Sequence, residues 1–134
     1  MASKTTSQIG KLPEGISVRI AVYSYITENT QAIYAPALDL YGYGYTETEA
    51  WQSFELALEE YLTYTAENQT LADDLRRYGW QVDEDRQRLT PPGLERLLQL
   101  YPDFAETILS RPYQKVDRTL YLILNNRSSR ALAA

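Results

Sequence analysis

The chain has 134 residues, a formal net charge of −5, and neither His nor Cys. That length fits one domain with a real core. The missing residue types remove the commonest general base, thiolate metal sites and disulfides. No run of about 18 apolar residues occurs, so no membrane span is expected and a cytoplasmic protein is the default.

Residues 1–14 open with polar Met1-Ala-Ser-Lys-Thr-Thr-Ser-Gln8 and lack the apolar core of a secretory signal, so they are expected to be a disordered leader. From Ile16 to Tyr25 the sequence alternates, with Ile16, Val18, Ile20 and Val22 on one face of a strand. Glu28-Asn29-Thr30 carries turn chemistry, and Gln31 to Ala35 reads as the return strand of a hairpin. Pro36 suits the end of that strand and not its middle. Tyr41, Tyr43 and Tyr45 then alternate with Gly42 and Gly44. In a strand this sets three tyrosines on one face and bare backbone on the other, against which a helix packs closely.

Thr46 stands three residues before Glu49, the arrangement in which hydroxyl and carboxylate each satisfy an orphan backbone N–H. A long helix is therefore predicted from Thr46 to about Asn68, with Ala50, Phe54, Ala57, Leu58, Tyr61 and Leu62 along its buried stripe. Thr70 with Asp73 starts a shorter helix, which Gly79 ends. Trp80-Gln-Val82 reads as a short fourth strand and 83–90 as a charged connector. After Pro91-Pro92-Gly93, the stripe Leu94, Leu97, Leu98, Tyr101, Ala105 and Ile108 predicts helix, restarted at Pro102. Val116 to Leu124 alternates as a last strand, and 125–134 is a tail.

The run Pro36-Ala-Leu-Asp-Leu40, followed by Gly42-x-Gly44-x-Thr46-x-x-Glu49-Ala50, resembles the signature of the HicB-like antitoxin family over about residues 16–68. The resemblance implies an α+β fold. Its sheet would be antiparallel in the order β-β-β-α-β, a partial ribonuclease-H-like layout, with a long helix on one face. Residues 15–82 would form that domain; 83–124 lies outside the matched motif, and its own periodicity predicts helices and a strand packed on the same domain. The resemblance further implies a non-catalytic protein that masks a small RNA-cleaving toxin.

The residues themselves point the same way on chemistry. Nuclease activity of the ribonuclease-H type needs clustered carboxylates, one typically on the first strand, and Ile16 to Tyr25 contains none. No Gly-x-Ser-x-Gly motif or phosphate-cradling loop occurs. No catalytic, cofactor-binding or metal-binding residue is therefore expected, and a metal-dependent nuclease is the weakest reading.

Partner binding is better supported. Between Arg19 and Arg76 the chain has no Lys or Arg and ten acids, a single-sign block that repels nucleic acid and suits a basic protein. Glu55, Glu59 and Glu60 on the long helix, Asp39 before it, and Tyr41, Tyr43 and Tyr45 are the candidate contacts. Each has a plainer role as well: a solvated helix face for the glutamates, an Asx turn for Asp39, a half-buried sheet face for the tyrosines. Pro36, Gly42, Gly44, Thr46 and Glu49 are the structural residues of the motif. No helix-turn-helix or ribbon-helix-helix is visible, so DNA binding is not expected. The terminal Leu132-Ala133-Ala134 resembles a proteolysis tag and is a degron candidate. The leading partner is a small basic toxin-like protein. The alternative is an orphan of this fold that has no toxin and forms a homo-oligomer through its tyrosines.

Overall fold

The computed structural model describes residues 15–124. The expected α+β architecture is observed. Strands β1 (Ile16–Thr27), β2 (Thr30–Ala35) and β3 (Leu40–Gly44) form an antiparallel meander, followed by helix α1 (Glu47–Asn68). Helix α2 (Leu71–Arg77), the strand pair β4 (Gln81–Asp83) and β5 (Arg88–Thr90), helices α3 (Leu94–Leu100) and α4 (Pro102–Ser110), and strand β6 (Gln114–Leu122) complete the chain. The main sheet has the order β3-β2-β1-β6, with β6 antiparallel to β1 from Ile16↔Leu122 to Ser24↔Gln114.

Alternation along β1 divides the core into two layers. Val18, Ile20 and Val22 face α1 and α2, and pack with Ile33, Phe54, Leu58, Leu71, Leu75, Leu120 and Leu122. On the opposite face Tyr23 and Tyr34 pack with Leu97 of α3 and Phe104 of α4. Helices thus cover both sides of the sheet, each where its apolar stripe meets one side of the pleat.

The start of α1 follows the sequence closely. Thr46 Oγ1 accepts from the Glu49 N–H at 3.1 Å, and Glu49 Oε1 accepts from the Thr46 N–H at 3.3 Å, closing the capping box. Gly42 and Gly44 lie directly against α1: a Cβ on Gly42 would stand 2.4 Å from the Phe54 nitrogen, and one on Gly44 2.6 Å from the Ala50 nitrogen. Pro36 is buried immediately after β2 ends, where its missing donor costs no ladder bond.

Four local expectations need correction. The strand read at Trp80-Gln-Val82 starts at Gln81 and pairs with β5 in a separate hairpin, while β6 takes the fourth place in the main sheet. The 83–90 connector therefore contains a strand, because Asp83 to Arg88 turns back tightly enough to pair residues on either side. Trp80 is instead a core residue, its indole N–H donating to the Ala37 carbonyl at 2.7 Å. Thr70 precedes α2 as expected, yet its hydroxyl makes no capping bond; it is buried without a hydrogen-bond partner among the described residues. Tyr45 falls outside β3, since Glu49 draws its N–H toward the helix cap at 3.0 Å. The leader 1–14 and the degron candidate Leu132, Ala133 and Ala134 lie outside the described residues.

Candidate functional site

The candidate contacts divide between the two faces of the sheet and meet only at the β3 edge. In the period-two pattern of a strand, the glycines of β3 point to α1 and Tyr41 and Tyr43 to the other face. Tyr41 stacks on Tyr34 at a centroid distance of 4.1 Å, and Tyr43 stacks parallel to Tyr41 at 5.6 Å. This places three rings in a row, with Tyr34 buried against Phe104 and Tyr43 51% exposed at the far end. Tyr45 is 88% exposed and belongs to neither layer.

Tyr25 joins this surface from β1. Burial, reinforced by the phenols of Tyr41 and Tyr43, pushes its pKa up to about 12, against a smaller opposing effect of Arg111. Burial likewise raises Tyr41 and Tyr43 above the ordinary phenol value. These rings are therefore neutral at physiological pH and present hydroxyls that can donate.

Asp39 does not make the expected Asx turn. It sits in the left-handed region at φ 53°, its N–H donating to the Pro36 carbonyl, and its carboxylate accepts from the buried Tyr34 hydroxyl at 2.7 Å. Burial first, and then this bond, raise the Tyr34 pKa far above its ordinary value. Tyr101 at the end of α3 is also pushed up to about 12, first by burial and then by the Asp39 charge. Asp39 is thus the polar anchor of the aromatic face. Its remaining exposed surface is all that a partner can reach.

On the other face the three candidate glutamates are not equivalent. Glu55 pairs with Arg118 of β6, which points to the α1 side of the sheet opposite Ile20. Glu59 and Glu60 are exposed and make no ion pair with any described residue. Helical spacing separates them further. Glu59 is four residues beyond Glu55 and shares the flank toward β6. That flank is an open trough of about 650 Å³, lined by Glu47, Trp51, Glu55, Leu56 and Glu59 among others. Glu60 is seven residues beyond Ser53, whose hydroxyl accepts from the Tyr43 N–H at 3.2 Å on the β3 edge. Glu60 therefore lies on the β3 side of α1, about two helical turns beyond the point where Ser53 meets Tyr43.

Tyr25, Tyr34, Ser53 and Arg118 were not singled out from sequence. Tyr23 and Tyr25 did carry a signal, standing at the odd positions of β1 opposite its aliphatic face. Arg118 carried none, because its partner lies 63 residues away.

Among the described residues, no group of three or more acidic side chains is placed to share a metal ion, and no helix is long and apolar enough to cross a membrane. No family model, curated protein or solved structure matches the chain, so the HicB-like resemblance rests on the quoted residues alone.

Proposed function

We propose that this protein is a non-catalytic, HicB-like antitoxin-type protein that binds and masks a small basic RNA-cleaving toxin. The observation that carries the reading is the β3 edge. There the uncompensated Glu60 lies on the β3 side of α1, and the exposed, stacked Tyr41 and Tyr43 lie on the other face of the strand. A basic partner seated across that edge would meet the Glu60 carboxylate on one side and rigid aromatic rings on the other. Such rings make good anchors because they lose little conformational freedom on binding. Glu59 extends the negative field along the helix, which speeds encounter with a cationic protein and makes it salt-dependent. Inhibition needs no chemistry from this chain: occupying the toxin's RNA-binding surface suffices.

The test is capture from native lysate by the N-terminally tagged chain, at low and high salt, read by mass spectrometry. A stoichiometric small basic protein that is lost as salt rises is the expected result. Recovery of the bait alone contradicts it and favours the second reading, a self-associating orphan, for which the half-exposed Tyr43 is the supporting observation.

A further inference from the structure

The main sheet has two edges, and they are treated differently. At β3 the Ser53 side chain of α1 takes the outward N–H of Tyr43, and Glu49 takes that of Tyr45 just beyond the strand. At β6, nine residues long, no strand pairs on the outer side among the described residues. An edge of that length offers a row of free donors and acceptors to another strand. Val116 is 43% exposed on it.

We propose that β6 pairs antiparallel with β6 of a second copy of this chain, about a two-fold axis at Val116. The charges on the strand select that register. Continuing the sheet across a two-fold axis requires that facing residues share a side of the pleat, so the axis must pass through a residue position. Axes at Lys115, Asp117 or Arg118 would set like charges directly opposite one another, which is destabilising. An axis at Thr119 would oppose Arg118 to Leu120 and Asp117 to Tyr121. An axis at Val116 sets Lys115 opposite the second copy's Asp117, and Asp117 opposite the second copy's Lys115. It also sets Val116 on Val116 and Gln114 opposite Arg118. Lys115 and Asp117 already lie on one side of the strand, 3.7 Å apart, so the four groups would alternate in sign around the axis. Arg118 would keep its pairing with Glu55. The outcome is an eight-stranded sheet with both copies of α1 on the same face. This inference does not rest on the proposed toxin, because β3 and its flanks stay free at the two far ends.

The chain has no Cys, so one introduced thiol reports the contact cleanly. Full-length V116C should form a covalent dimer on mild oxidation, while L109C, at an exposed position on α4, should not. By sedimentation the unmodified chain should be a dimer, K115D should dissociate with roughly tenfold weaker affinity, and the swap K115D/D117K should restore it. A monomeric unmodified chain, a V116C that oxidises no faster than L109C, or a K115D dimer of unchanged affinity would each overturn the proposal.

Discussion

The backbone of Gly42 rests against the backbone of Phe54, with 2.4 Å between the Phe54 nitrogen and the place a Cβ on Gly42 would occupy. The Ala50 carbonyl oxygen is 2.6 Å from the same point. Both obstacles are main chain and neither can rotate away. Gly42→Ala must therefore push α1 off the sheet, and it is expected to cost about 3 kcal/mol or more, measured by denaturant unfolding. A loss within the range of ordinary surface substitutions would mean that α1 does not approach β3 so closely.

Tyr34 and Asp39 form a single buried-to-surface bond of 2.7 Å. Tyr34→Phe keeps the ring stacked on Tyr41 and removes the hydroxyl that bonds Asp39 and also contacts the Tyr41 hydroxyl, so a loss of about 1–2 kcal/mol is expected. Asp39→Asn retains an acceptor and should lose less. If Tyr34→Phe proves as stable as the parent chain, Asp39 does not anchor the aromatic face.

Thr70 gives the opposite sign. Its hydroxyl is buried without a partner among the described residues, and the isosteric Thr70→Val removes the desolvated group while filling the same space. A gain of about 1 kcal/mol is expected in thermal or denaturant unfolding. A loss would reveal a hydrogen bond to that oxygen.

Alkaline pH should unfold the protein through its tyrosines. Tyr25 and Tyr101 are raised from 10.0 to about 12, chiefly by burial, so the fold favours the neutral phenol. Their contribution to stability is complete below pH 10.0, the value in the unfolded chain, and is lost as pH rises through about 12. Phenolate absorbance and circular dichroism followed together should show ionisation of these rings coinciding with loss of structure. Free titration at the ordinary value with the fold intact would contradict their burial.

Features set by neighbours in sequence were legible before the structure. Thr46 and Glu49 announce the helix start because the capping box spans only three residues. Gly42 and Gly44 point to close packing because two bare positions on one face of a strand leave room for a helix backbone. Pairings between distant segments left no such trace. The place of β6 beside β1, the Glu55–Arg118 pair and the indole bond from Trp80 to Ala37 all join segments far apart in the chain. Asp39 belongs with these: its short side chain suits an Asx turn, but the partner observed is a buried phenol five residues back. The candidate glutamates looked alike in sequence and differ only through what each helix flank faces.

Masking of a basic ribonuclease by the β3 edge, as proposed, can be tested directly. The most direct measurement is RNA cleavage by the captured basic protein, titrated with this chain and with the double variant Y43A/E60K. Cleavage is expected to stop at a stoichiometric amount of the parent chain, and the double variant to inhibit at least tenfold more weakly, the cost of losing one aromatic anchor and reversing one charge. Undiminished cleavage in the presence of excess parent chain, or equal inhibition by Y43A/E60K, would contradict it.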